Sequence, residues 1–128
     1  MAHVRVADVG AKGAAAALGP LLDAMARRGV GRVYIHLDVD VFDAAWAPAN
    51  EFAPIGGLLP GQLAACVGEV TKRFGVAAAT VASYDPTWDR ENRVLDAALD
   101  FLELVASSRS SGVPGSLWKE CFRARSME

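Results

Sequence analysis

Apolar residues recur along the chain at two periods, and the switches between those periods mark out the expected elements. Over residues 3–9 (HVRVADV) apolar and polar positions alternate one by one, the rhythm of a strand. Residues 12–29 (KGAAAALGPLLDAMARRG) read as a helix by their alanine and leucine content. Arg27 and Arg28 suit its last turn and Gly29 its stop, while Pro20 inside it predicts a kink or a late start. Residues 32–41 (RVYIHLDVDV) form the second expected strand, with Val33, Ile35, Leu37, Val39 and Val41 on one face and Tyr34, His36, Asp38 and Asp40 on the other. A long loop rich in Pro, Ala and Gly covers residues 42–59, and a loop of that length within a compact domain tends to carry function. Residues 60–75 open on Pro60 and end in Lys72, Arg73 and Gly75, the signature of a second helix. Residues 76–84 (VAAATVASY) read as a third strand. Residues 89–108 read as a closing amphipathic helix with Val94, Leu95, Ala98, Leu99, Leu102 and Val105 on its apolar side.

Strands that alternate with helices build parallel sheets through right-handed crossovers. The expected class is therefore α/β, a parallel sheet with helices on both faces. The expected domain covers residues 1–106. Residues 107–128 form a Ser/Gly-rich linker and a short, weakly basic end, LWKECFRARSME, expected to be a poorly ordered terminus.

The 128 residues suffice for one domain, and an apolar share of 52% argues for a packed core. A net charge of −2 offers no general attraction to nucleic acid or to acidic membranes. Cys66 and Cys121 form neither a disulfide framework nor a metal-knuckle spacing, which fits a reducing cytoplasm. No run reaches membrane-spanning length, and the start MAHVRVADVG shows no export signal.

The chemistry concentrates in YIHLDVDVFD, where an apolar strand finishes in Asp38, Asp40 and Asp43. In open parallel sheets, ligands bind beyond the carboxyl ends of the strands. Period-two spacing sends Asp38 and Asp40 to the same side, and like charges that close need compensation. A hard divalent cation such as Mg²⁺ or Mn²⁺ provides it. Asp43 has left the strand and is placed to hold a ligand or the loop by hydrogen bonds. The plainer reading is three solvated acids at a strand end.

The residues that follow extend the pattern. LDVDVFDAAWAPANEFAPIGGL resembles the signature of the ureohydrolases, the arginase and agmatinase family: an S/H-x-D-x-D-x-x-D-P core, a proline-containing stretch, then P-x-G-G-L. The matching positions are His36, Asp38, Asp40, Asp43, Pro48, Pro54, Gly56, Gly57 and Leu58. The likeness continues to TVASYDPTWD and covers about residues 3–106. It implies a three-layer α/β/α sandwich and a pair of Mn²⁺ ions holding a hydroxide. That hydroxide attacks the guanidinium carbon of arginine, agmatine or a related compound and releases urea, or formamide in one branch. By the same resemblance, Asp38 bridges both ions, Asp40 binds one, and His36 and Asp43 act beside the site.

The chain departs from that pattern in identifiable places. The family's Gly-Gly-Asp-His and Asp-Ala-His-x-Asp elements are not in this sequence, whose histidines are His3 and His36. The chain thus resembles the C-terminal part of a ureohydrolase, expected to be inactive alone. The acid-Pro pair is Asp43–Ala44 here. The Glu that commonly grips the guanidinium falls on Ser83, with Asp85 in the neighbouring Asn/Asp position, so both are weak substrate-adjacent candidates.

Two other readings stand beside this one. A non-catalytic scaffold or remnant of such an enzyme needs only the fold, associating as a homo-oligomer or through an unpaired sheet edge. A haloacid-dehalogenase-like phosphatase also begins with an apolar strand ending in D-x-D, yet leaves P-x-G-G-L unexplained. Gly56 and Gly57 read as a tight turn, Trp46 and Trp88 as loop packing, and Cys66 as helix core.

Overall fold

The computed structural model describes residues 2–108. Its elements are α1 (Val6–Lys12), α2 (Ala14–Arg27), β1 (Arg32–Asp38), a 3-10 turn (Val39–Val41), α3 (Pro60–Thr71), β2 (Gly75–Ala82) and α4 (Arg93–Ser107). β1 and β2 pair in parallel from Arg32 opposite Gly75 to Asp38 opposite Ala82, with an irregularity between Val33 and Tyr34. The α/β class with a parallel sheet is what the sequence predicts. Of the expected linker and tail, residues 107–128, Ser107 is the last residue of α4 and residues 109–128 lie outside the described residues.

The expected first strand is instead a helix, so the sheet of the described residues has two strands and not three. Asp8 explains the change. Its carboxylate meets Arg5 Nε at 3.1 Å and Lys12 Nζ at 3.3 Å, spacings of three and four residues that a helix brings together and an extended strand does not. Those contacts also hold the Asp8 carboxyl below the usual range. Seven residues cannot sustain a helix unaided. Val9 is buried, and α1 packs on α2.

Gly13, at φ +78°, separates α1 from α2, so the single expected helix is two. α2 runs through Pro20 and starts early, at Ala14, which rules out a late start. Gly29, at φ +79°, ends this region in the left-handed conformation that suits glycine. Arg73 pairs with Asp23 and ties the end of α3 to α2.

One face of the sheet is the floor of the core. Leu37, Val39, Phe42 and Val76 pack there with Val67 of α3 and with Val94, Ala98, Phe101 and Val105 of α4. Val39, Phe42 and Val94 are fully buried. Each such side chain contributes about 1.5–3 kcal/mol relative to exposure. The buried stripe of α4 includes Ala97 and Phe101, while Leu95 and Leu102 sit at its margin, a rotation of the expected apolar side. On the opposite sheet face Tyr34 is 58% exposed, and His36 and Thr80 are also exposed.

α3 starts at Pro60, whose missing N–H costs nothing in a first turn. Gln62 Oε1 accepts from Leu59 N at 2.9 Å, half of a capping box. α4 starts later than expected because Asn92 is left-handed, at φ +57°. Asp89 holds this entry: its buried carboxylate accepts from Leu95 N at 2.9 Å and from the Tyr84 hydroxyl at 3.3 Å. Burial, then the charge and hydrogen bond of Asp89, push the Tyr84 phenol up to about 12.

The loop over residues 42–59 is built around one close approach. Leu58 N donates to Val41 O at 2.7 Å and Asp43 N donates to Leu58 O at 3.1 Å, a short parallel bridge. A Cβ on Gly57 would lie 2.5 Å from Phe42 C and 2.5 Å from Val41 O, both backbone atoms that cannot swing aside. Gly57→Ala should therefore destabilise the fold by about 1–3 kcal/mol, seen as a lower denaturation midpoint at unchanged slope.

The raised phenol gives a second test. A folded value above the unfolded one means that the native state keeps its proton longer, so stability is intact below about pH 10 and falls as pH rises towards 12. Absorbance titration should show one phenol ionising near 12, and Tyr84→Phe should abolish that step and flatten the alkaline fall in stability.

Candidate functional site

The strand ends at Asp38, and the strand alternation expected to carry Asp40 to the same side does not extend that far. Residues Val39–Val41 turn instead as a 3-10 segment, with Asp38 as its cap: Asp38 Oδ1 accepts from Asp40 N at 3.1 Å. The turn buries Val39 completely and leaves Asp38 exposed and Asp40 half-buried. Both acids stand at the carboxyl end of β1, level with the end of β2.

Asn50 reaches Asp40 from the loop. Its Nδ2 donates to Asp40 Oδ1 at 2.5 Å and to Ser83 O at 2.7 Å. Its Oδ1 accepts from Phe52 N at 2.8 Å. Next to it, Asp85 N donates to Ala49 O at 2.9 Å. The loops after β1 and β2 are thus joined at the site. Ser83 sits at φ +68°, a left-handed conformation that costs a non-glycine residue about 1–2 kcal/mol.

Asp43 does not join Asp38 and Asp40 in a three-ligand group, and it organises the loop. Its Oδ1 accepts from Ala45 N at 2.9 Å and from Gly56 N at 3.1 Å. Asp85 Oδ1 accepts from the hydroxyl of Thr87 at 2.7 Å and from its amide at 2.9 Å, and these bonds hold the Asp85 carboxyl below the usual range. His36 Nδ1 is 2.9 Å from Thr80 Oγ1, which also lies 2.6 Å from the Tyr34 hydroxyl. Trp46 packs against Phe42 with ring centroids 5.5 Å apart, under the Arg93 guanidinium at 4.8 Å. Trp88 remains 47% exposed.

Two carboxylates suit a hard divalent cation by their chemistry, and each keeps one oxygen outside the hydrogen bonds just described. Among the described residues no group of three or more His, Cys, Asp or Glu side chains comes together as a metal site. By donor count, these two carboxylates alone do not complete a metal centre.

Asn50, Thr80 and Asp89 are the contributors that the sequence reading did not single out. Asn50 has no periodic partner and sits in an irregular loop, so only its contacts reveal it. Asp89 carried a faint signal, an acid just ahead of a helix start.

The described fold has counterparts among solved structures. A formimidoylglutamase from Bacillus subtilis matches with a TM-score of 0.70 and 23% identity over 80% of this chain. A hypothetical agmatinase from Burkholderia thailandensis matches with a TM-score of 0.61 and 28% identity over 73%. The agmatine ureohydrolase of Thermoplasma volcanium matches with a TM-score of 0.62 and 23% identity over 81%. The chain spans only 32%, 28% and 33% of those three proteins. No curated protein matches it at a significant level. The arginase family model matches residues 1–106, the same stretch that includes the P-x-G-G-L segment left unexplained by a phosphatase. With that match over most of its length, beside a parallel sheet with Asp38 and Asp40 at the end of β1, this chain belongs to the arginase family.

Proposed function

We propose that this chain carries the carboxylate edge of a ureohydrolase metal centre, serving C–N bond hydrolysis in a guanidino compound, and that it does not turn over alone. The observation that carries this reading is the placement of Asp38 and Asp40 at the carboxyl end of β1, beside the loop that follows β2. In this proposal Asp38 and Asp40 hold Mn²⁺, and the remaining ligands come from outside the described residues. A bound manganese pair supplies a hydroxide nucleophile near neutral pH.

The chain's own groups shape the rest. Ser83 stands where the family commonly has a guanidinium-gripping Glu, and a hydroxyl beside a positively charged head cannot form an ion pair. Asp85 Oδ1 is engaged by Thr87, while its Oδ2 stays outside those bonds. His36, hydrogen-bonded to Thr80, supports the sheet beside the site and is not assigned as a ligand. The outer edges of β1 and β2 have no partner strand among the described residues, and these edges are the surfaces we assign to association with a second copy or with the remainder of the fold. No helix among the described residues is long and apolar enough to cross a membrane. Burial pushes the Cys66 thiol up. The cytoplasmic setting we propose rests on the sequence, whose two cysteines form no disulfide framework.

A second reading, a non-catalytic scaffold, has its own support: Asp38, Asp40 and Asp43 already serve as acceptors for the local backbone and for Asn50. Titration with Mn²⁺ separates the two. In the metal reading the wild type binds weakly, Asp38→Asn loses binding, Asp40→Asn loses less and Asp43→Asn least. Equal binding by the wild type and Asp38→Asn would leave only the scaffold. Urea release from arginine, agmatine and guanidinobutyrate with added Mn²⁺ should be negligible for the chain alone. Turnover of about 1–1000 per second would overturn that part of the proposal.

A further inference from the structure

The side-chain amide of Asn50 is the only described group that holds a site carboxylate and the β2 loop at once. One nitrogen donates to two acceptors, Asp40 Oδ1 at 2.5 Å and Ser83 O at 2.7 Å. The amide orientation is fixed by a third bond, since Oδ1 must face the Phe52 N–H at 2.8 Å. Flipping the amide would set its oxygen against a carboxylate and a carbonyl, and its NH₂ against a donor. Each bond therefore enforces the other two. The bond to Asp40 has an ionised acceptor, which makes it the stronger kind. It fixes the rotation of the Asp40 carboxylate and leaves Oδ2 outside the clasp. The bond to Ser83 O sits next to the left-handed Ser83 and two residues from Asp85, whose N–H is received by the carbonyl of Ala49.

We propose that Asn50 is the positioning residue of this site: it aims the Asp40 carboxylate towards the cation and ties that aim to the conformation of the loop at Ser83 and Asp85. The inference rests on the metal-edge reading above for its function, and on the hydrogen bonds alone for the clasp. A loop rearranged at Ser83, for instance by a substrate settling there, would release Asn50 and with it the orientation of Asp40. Asn50 needs no contact with substrate or metal to act in this way.

The experiment uses the full chain labelled with ¹⁵N. Amide hydrogen exchange at Asp85 reports the clasp, and amides within α4 report that the fold is intact. Both Asn50→Ala and the isosteric Asn50→Asp, which keeps the shape and removes the donor, should speed exchange at Asp85 about tenfold or more while α4 is unchanged. Paramagnetic broadening of the Asp38 and Asp40 amides by Mn²⁺ reports the aim. Asn50→Ala should need about tenfold more Mn²⁺ for equal broadening, a factor in the range of the cost of ordering a carboxylate no longer held before binding. Unchanged exchange at Asp85 in Asn50→Asp overturns the clasp. Faster exchange with an unchanged Mn²⁺ response overturns the positioning role and leaves a loop tie. Absence of Mn²⁺ broadening at Asp38 and Asp40 in the wild type removes the metal-edge reading itself, an outcome distinct from the other two because exchange at Asp85 still reports the clasp.

Discussion

The parallel pairing of β1 with β2 is the constraint from which the rest of the architecture follows. Its register sets Asp38 opposite Ala82, so the loops after both strands leave the sheet at the same level. Only with that register can Asn50, in the first loop, reach Ser83 at the start of the second. Two strands alone make a poor sheet, and parallel ones are normally covered. Here the cover on one face comes from α3 and α4, through Val67, Val94, Phe101 and Val105. Site and core therefore share one origin: shift the register and the carboxylates lose the second loop at the same time as Leu37 and Val76 lose their packing.

The segment over residues 42–59 has no helix or strand, yet it is not loosely held. Its order comes from hydrogen bonds that replace a ladder. Asp43 receives two amides, Asn50 makes three bonds, and the Phe42–Leu58 bridge closes the base of the loop. Gly57 permits the closure because its backbone lies where no Cβ could. In the proposed reading, the acids at the end of β1 have two kinds of work. One oxygen of Asp38 and one of Asp40 build the local turn and clasp, and the others remain outside those bonds. A carboxylate used in this way is oriented before any cation arrives, which lowers the cost of ordering it on binding.

The sequence made much of this legible where one physical signal dominated. Alternation in RVYIHLD gave β1, the apolar stripe after residue 93 gave α4, and D-x-D with P-x-G-G-L pointed to the family. It misled where two signals competed. The alternating valines of residues 3–9 suggested a strand, but Asp8 between Arg5 and Lys12 fits a helix, and packing of Val9 settles a segment too short to decide alone. Val39 continued the strand rhythm on paper, whereas Asp38 capping its own turn ends the strand there. Asn50 was invisible for a different reason. Its role depends on the distance between two loops 33 residues apart in sequence, which no local pattern encodes.

The central claim is that Asp38 and Asp40, oriented by the end of β1 and by Asn50, form one edge of a divalent-cation site. Crystals of the chain soaked in Mn²⁺ and measured for anomalous scattering at the manganese edge test it directly. The account predicts an anomalous peak in contact with carboxylate oxygens of both Asp38 and Asp40, with Asp40 still bonded to Asn50. Peaks at other surface acids with none at this pair would contradict it.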